Sequence, residues 1–202
     1  MSGPSERQGV APARAPIVEL ADFEHCFEVN FVAVHRFIAR RVGAPLADDL
    51  AAETFATAFR RRHIFDPSLA SSRAWLFGIA NNLVRAHLRA EQHMLALSSR
   101  LEAEASSTGR DASPEAQVAG SGLAPRVARA LASLTPEQRD VLLLHAWGGL
   151  SDEEVAVALG LPAGTVRSRM WRARIAVRSQ LLGPGADLDV GQALAPDASL
   201  DL

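Results

Sequence analysis

The sequence predicts an all-α protein made of two small helical domains joined by a flexible linker. In two separate parts of the chain, apolar residues recur every three or four positions, which is the period of an amphipathic helix. Between those parts, residues 98–123 are small, polar and aperiodic, which is typical of a flexible linker. The length of 202 residues also suits one or two small domains.

The first predicted domain covers residues 19–97 and contains three helices. The first helix carries an apolar stripe, after which Gly43 and Pro45 are expected to end it. The stripe consists of Phe23, Phe27, Phe31, Val34 and Ile38. A second helix is predicted over residues 48–62, with two aspartates at the end where acidic groups suit the helix dipole. A third helix is predicted over residues 72–91.

The second predicted domain, residues 124–182, shows clear helix start signals. Thr135 and Gln138 form one capping box, and Ser151 and Glu154 form another, so a helix is expected to follow each. Glycines after these helices are expected to end them. The second of them is short, and a tight turn leads to a longer helix, which is the helix-turn-helix pattern.

That longer helix contains GTVRSRMWRARIAVRSQ, residues 164–180, with five arginines and no acidic residue. At about 100° per residue, one of its stripes is apolar and must face the domain core. This stripe consists of Val166, Met170, Ala173, Val177 and Leu181. The alternative interpretation is a solvated charged face on an ordinary core helix. It is disfavoured because no acidic residue is interleaved to pair with the arginines.

The arginines of this helix are predicted to have two roles. On the side away from the apolar stripe, the residues that would enter a major groove are Arg167, Ser168, Trp171 and Arg172. Arginine in that position pairs bidentately with the O6 and N7 atoms of guanine. The residues better placed for backbone phosphates are Arg169, Arg174 and Arg178.

These motifs resemble a known family. Residues 131–182 are similar to region 4 of the sigma-70 family of RNA polymerase sigma factors, in its extracytoplasmic-function group, and GTVRSRMWRAR is the most specific part. DDLAAETFATAFRR (48–61) and SSRAWLFGIANNLVRAHLR (71–89) resemble regions 2.2 and 2.3 to 2.4 of that family. The resemblance leaves out residues 1–18, expected to be a disordered arm, the linker, residues 98–123, and the acidic tail, residues 183–202.

The resemblance implies a protein that binds core RNA polymerase and directs it to promoter DNA, with no enzymatic activity of its own. Asp49, Glu53 and Phe55 correspond to the face that docks on the clamp helices of the β′ subunit. Region 4 would read the −35 element and contact the flap of the β subunit. The linker would thread through the polymerase, and an anti-sigma factor is a candidate partner.

The third helix of the first domain, with the loop expected after it, corresponds to the reader of the −10 element. Asn82 matches a position that lines the pocket for a flipped base in relatives, and Arg85 and Arg89 suit phosphates. Ala86 stands where many relatives carry a polar or acidic residue. Relaxed or altered readout of the −10 element is therefore expected.

Composition limits the other classes of protein. A single cysteine, Cys26, excludes an internal disulfide and a multi-cysteine zinc site, and no apolar run approaches the roughly 20 residues that span a bilayer. Without an apolar core behind its charges, the N-terminal stretch does not resemble a secretory signal, so a cytoplasmic protein without membrane insertion is expected. No motif for a metal, a cofactor or an enzyme active site is present.

Several alternatives stay open on the sequence alone. A transcriptional regulator of the LuxR type has a similar helix-turn-helix, although it needs a further N-terminal receiver or ligand domain. Cys26 is either a core residue between Phe23 and Phe27 or, together with His25, a metal or thiol sensor. The acidic tail, with four aspartates and no basic residue, is either a disordered solubilising end or a segment that touches a basic surface. That surface would be the arginine helix, a polymerase subunit or an anti-sigma factor.

Overall fold

The computed structural model describes residues 20–105 and 123–182, and these two ranges are helical without a strand. The helices are α1 (Leu20–Val42), α2 (Ala44–Arg61), α3 (Ser72–Ala105), α4 (Leu123–Ala132), α5 (Pro136–Ala146), α6 (Asp152–Leu159) and α7 (Ala163–Leu182). A 3-10 turn, Arg62–Ile64, follows α2. The prediction of an all-α fold is confirmed.

The first domain, α1 to α3, packs around fully buried aromatic and aliphatic side chains. Phe37 of α1 and Phe77 of α3 meet edge to face, with ring centroids 5.2 Å apart. Of the predicted stripe, Phe23, Val34 and Ile38 are buried, whereas Phe27 is 39% exposed. Phe27 lies at the margin of the domain. The buried side chains of α1 that the stripe did not include are Cys26, Asn30 and Phe37.

Two helix boundaries differ from those predicted. Helix α2 begins at Ala44, and Pro45 lies in its first turn, where the missing N–H is not needed. The two aspartates therefore lie beyond the first turn. Helix α3 continues to Ala105. Residues 88–100, where a loop was expected, are therefore helical, and so are residues 98–105, where the linker was expected to begin. The reason is composition, because residues 79–105 contain no glycine or proline and many strong helix formers. Residues 106–122 lie outside the described ranges.

Both predicted capping boxes of the second domain are confirmed. The Thr135 hydroxyl accepts from the backbone N–H of Gln138 at 3.3 Å, and the Ser151 hydroxyl accepts from that of Glu154 at 3.2 Å. Gly160, with a φ of 63°, ends α6 in the left-handed conformation. Helix α4 was not predicted; it packs on α7, where the Arg126 guanidinium donates to the carbonyl of Leu181.

The cap at Thr135 leads to a prediction of stability. Thr135→Ala is expected to lower the free energy of unfolding by about 1 kcal/mol, because an N–H group at the start of α5 loses its acceptor. The loss is measured by urea unfolding followed by circular dichroism. Ser179→Ala, at an exposed position of α7, is the control. Equal losses in the two variants would contradict a stabilising role for the cap.

The two domains are packed against each other along α3. A Cβ atom added at Gly78 of α3 would lie 2.6 Å from the carbonyl oxygen of Ala158, so α3 and α6 approach closely there. The Phe77 ring lies against Gly148, where an added Cβ would be 3.1 Å from it. The buried apolar side chains of the two domains therefore form one continuous core.

Candidate nucleic-acid interface

The turn between α6 and α7 fixes the direction of the arginine helix. After Gly160, the carbonyl of Pro162 accepts from the backbone N–H groups of Thr165 and Val166 at 2.9 and 3.2 Å. The residues of the predicted core stripe are all buried: Val166, Met170, Ala173, Val177 and Leu181. One side of α7 is therefore held in the core and the other is presented to solvent.

The outer side of α7 carries the residues predicted to read bases. Arg167 and Arg172 are exposed, and Trp171 is 65% exposed, which is unusual for so large an apolar ring. In the part of the chain that the structure describes, neither of these two arginines forms an ion pair. The Ser168 hydroxyl donates to the carbonyl of Thr165 at 3.0 Å, which leaves its own oxygen able to accept.

The flanking arginines of α7 have partners within their own domain. The Nη2 atom of Arg174 lies 3.3 Å from Nε2 of His145. Arg169 lies near Glu137, a carboxyl whose pKa is lowered chiefly by a hydrogen bond from its own backbone N–H, with smaller contributions from Arg85 and Arg169. Arg169 and Arg174, both predicted to bind phosphates, therefore already lie beside polar side chains of α5.

On α3, the predicted −10 residues lie in different environments. Asn82 and Arg89 are exposed, whereas the neighbouring Asn81 is buried and accepts a hydrogen bond from Arg41. Arg85 is turned toward the second domain, where its Nη1 atom lies 3.0 Å from the Asp140 carboxylate. One of the three residues predicted to bind DNA is therefore in contact with α5.

Comparison with known proteins decides the family. The models described as "Sigma-70 region 2" and "Sigma-70, region 4" match residues 27–94 and 125–177. "ECF RNA polymerase sigma factor SigC" of Mycobacterium tuberculosis is 37% identical over 150 residues, which are 71% of this chain and 75% of that protein. The chain belongs to the extracytoplasmic-function sigma factors of the sigma-70 family. "RNA polymerase sigma factor CarQ" of Myxococcus xanthus is 33% identical to this sigma factor over 80% of this chain and 89% of the relative.

A solved structure shares the fold of this sigma factor. CnrH in complex with the cytosolic domain of CnrY has a TM-score of 0.58 and is 26% identical, with 83% of this chain and 92% of that chain covered. The similarity includes both helical domains, since it extends over most of each chain.

The face of the sigma factor predicted to meet the polymerase is only partly at the surface. Asp49 and Glu53 are exposed one turn apart on α2. Phe55 is 4% exposed, with its ring centroid 4.7 Å from that of Phe27 and 5.8 Å from that of Phe31. Phe55 therefore supports this face from beneath, and Phe27 is the aromatic ring that reaches solvent.

Two residues of the sigma factor that the sequence did not single out join its domains. Arg41 of α1 and Asp140 of α5 form an ion pair, 2.9 Å between Nη2 and Oδ1, with both side chains buried. Nearby is a cavity of about 100 Å³ whose charged lining residues are Arg41, Arg85, Arg89, Arg139 and Asp140. The sequence offers one sign of this ion pair, since Asp140 directly precedes the apolar run VLLL. That position does not identify Arg41, 99 residues away, as its partner.

The part of the sigma factor that the structure describes contains neither a metal-binding cluster nor a membrane-spanning helix. Over residues 20–105 and 123–182, no group of three or more histidine, cysteine or acidic side chains is placed to hold a metal ion. Within the same described ranges, no helix is both long and apolar enough to cross a bilayer.

Cys26 is buried in the first domain of the sigma factor, as the core interpretation predicted. Burial raises the pKa of the thiol, which keeps it in the protonated and unreactive form. Cys26→Ser is therefore expected to leave transcription, with or without hydrogen peroxide, unchanged. A peroxide response that is present in the wild type and lost in the variant would support the sensor alternative.

Proposed function

We propose that this sigma factor binds core RNA polymerase in the cytoplasm and directs transcription initiation at promoters recognised through −35 and −10 elements. The observation that carries the proposal is the outer side of α7, where Arg167, Trp171 and Arg172 face solvent on a buried helix-turn-helix scaffold. The chain makes and breaks no bond itself and needs no cofactor, because the polymerase supplies the chemistry.

In the proposed complex, the N-terminal half of α7 enters the major groove of the −35 element. Arg167, Ser168, Trp171 and Arg172 contact base edges there, since the first turns of a recognition helix approach the bases most closely. Arg169, Arg174 and Arg178 bind backbone phosphates, which fix the orientation of the helix without reading sequence. The same domain contacts the flap of the β subunit.

The first domain is proposed to capture the −10 element. Asn82 lines the pocket of a flipped base, where an amide group can bond to base edges. Arg85 and Arg89 hold phosphates of the separated strand, and Ala86 gives a relaxed or altered readout. On α2, the exposed pair Asp49 and Glu53 docks on the β′ clamp helices, with Phe55 supporting that surface from the core.

A LuxR-type regulator is not supported as an alternative. Residues 27–94 match region 2 of sigma-70 and lie mostly in α1, α2 and α3, where such a regulator would need a receiver or ligand domain. An anti-sigma factor is a proposed further partner, because sigma factor RpoE from Bartonella quintana, a structure with the same fold, was solved in complex with the anti-sigma factor NepR.

The decisive experiment is reconstitution with purified core polymerase on genomic DNA, followed by sequencing of the transcript 5′ ends. The expected result is a set of start sites that share two upstream motifs and are absent with core polymerase alone. The double variant Asp49→Ala, Glu53→Ala is expected to lose these transcripts and to bind core polymerase less tightly. Its control is Glu24→Ala, at an exposed acidic position of α1. Binding of the wild-type chain to core polymerase without any specific transcript would contradict the proposal.

The acidic tail, residues 183–202, lies outside the described residues, and its role is tested by deletion. If the tail covers the arginine helix, removing its four aspartates is expected to raise promoter affinity and to steepen its dependence on salt. The measurement is a binding isotherm at several KCl concentrations. Unchanged affinity and an unchanged slope would exclude self-inhibition by the tail.

A further inference from the structure

The contact between the two domains contains a carboxylate shared by two arginines. The Oδ1 atom of Asp140 lies 2.9 Å from Arg41, and its Oδ2 atom lies 3.0 Å from Arg85. Glu137, one turn earlier on α5, lies 3.6 Å from Arg85. Two acidic residues of the second domain therefore face two basic residues of the first.

The pairing of Arg41 and Arg85 with carboxylates depends on the contact between the domains. In the described part of the chain, the only carboxylates within ion-pair distance of Arg41 and Arg85 belong to α5. Arg41 also donates to Asn81, which holds its guanidinium beside Arg85. If the domains separate, two neighbouring cations lose their counter-charges, and the first domain is left with a preformed site for an anion.

The geometry of this site suits a phosphate group. A guanidinium binds carboxylate and phosphate oxygens with the same planar arrangement of N–H donors, so a phosphate can replace the Asp140 carboxylate. Arg89 lines the same cavity as Arg41 and Arg85, which adds a third cation on the side where α3 continues. Arg85 and Arg89 are also the two arginines proposed above to hold phosphates at the −10 element.

We propose that Arg41 and Arg85 form a phosphate-binding site for the promoter strand at the −10 element, and that Asp140 and Glu137 occupy this site while the domains are packed together. This inference rests on the proposed function and adds Arg41 to the DNA-binding residues. Domain contact and phosphate binding compete for one site, so the free chain binds DNA poorly until its domains separate.

The first test uses the reconstituted holoenzyme on a promoter that the wild type transcribes. Arg41→Gln and Arg85→Gln are each expected to weaken promoter binding about three- to tenfold and to lower the salt slope by about 0.7, as for one phosphate of a single strand. Arg61→Gln removes the same charge from an exposed position of α2 and is expected to change neither quantity. A packing role alone for Arg41 would not alter the slope.

The second test uses the free full-length chain with dyes on Ala56→Cys and Ser179→Cys, one exposed position in each domain, in a Cys26→Ser background. Asp140→Asn is expected to lower energy transfer between the dyes and to raise affinity for a single-stranded −10 oligonucleotide at least about fivefold, because a competing anion is removed. Glu137→Gln, at a more exposed position, is expected to act in the same direction and less strongly.

Three outcomes would overturn the inference. The first is an unchanged salt slope for the holoenzyme with folded Arg41→Gln. The second is an unchanged affinity for the oligonucleotide after Asp140→Asn has separated the domains. The third is that neither Asp140→Asn nor Glu137→Gln changes the energy transfer or the affinity. Circular dichroism establishes folding, and Glu137→Gln replaces Asp140→Asn if the latter unfolds. If the wild-type holoenzyme gives no transcript, the proposed function itself is contradicted. If the wild type transcribes and Arg41→Gln binds the promoter with the same affinity and salt slope, only this inference is contradicted.

Discussion

Phe77→Ala is expected to lower the free energy of unfolding by about 3–5 kcal/mol, the range for removing a buried phenylalanine side chain. Phe77 is fully buried, packs edge to face on Phe37 and lies against Gly148 of the second domain. Its removal leaves a cavity that borders both domains, because close-packed neighbours relax only partly. Urea unfolding followed by circular dichroism measures the change.

Phe27→Ala is the matched control for this prediction. Its ring is 39% exposed, so the same truncation removes less buried area and is expected to cost about 1 kcal/mol. Similar losses for Phe27→Ala and Phe77→Ala would show that Phe77 is not at the centre of the packing between the domains.

Arg172→Ala is expected to weaken binding to the −35 element by about 1–3 kcal/mol and to relax specificity at one base pair. Arg172 is exposed on the outer side of α7, and no ion pair within the described residues competes for its guanidinium. The measurement is holoenzyme affinity for a set of promoters with single changes in the −35 element. The preference for the correct base pair should fall at one position of the −35 element and persist at the other positions.

Arg178→Ala is the comparison, because it removes the same side chain six residues nearer the C-terminus of α7. As a proposed phosphate contact, it should weaken binding evenly across all promoters and reduce the salt slope. If Arg172→Ala and Arg178→Ala had the same effect on every promoter, the division of the arginines into base-reading and phosphate-binding groups would be wrong.

Much of the second domain could be predicted from its sequence because the signals are local. The capping boxes at Thr135 and Ser151 join residues three apart, and the buried stripe of α7 follows from the helical period alone. Short-range hydrogen bonds and periodic burial leave patterns that a single sequence displays directly. The assignment of α7 as the basic helix therefore needed no structure.

The contact between the domains could not be predicted in the same way. Arg41 and Asp140 are 99 positions apart, and no local pattern in the sequence connects them. The burial of Phe55 and the exposure of Phe27 depend likewise on how α1 and α2 pack, because both rings fit an apolar stripe equally well. Long-range pairs of this kind depend on tertiary packing, which periodicity does not encode.

The carboxylate of Glu154 has a consequence for how the domains can part. One of its oxygens accepts from the backbone N–H of Ser151 at 3.1 Å, within the cap of α6, and the other accepts from the Ser71 hydroxyl of the first domain at 2.6 Å. Of these two hydrogen bonds of Glu154, separation of the domains breaks only the one to Ser71, and water can replace that hydroxyl. The start of α6 therefore keeps its cap when the domains part, and the helix does not depend on the first domain for its N-terminal hydrogen bonds.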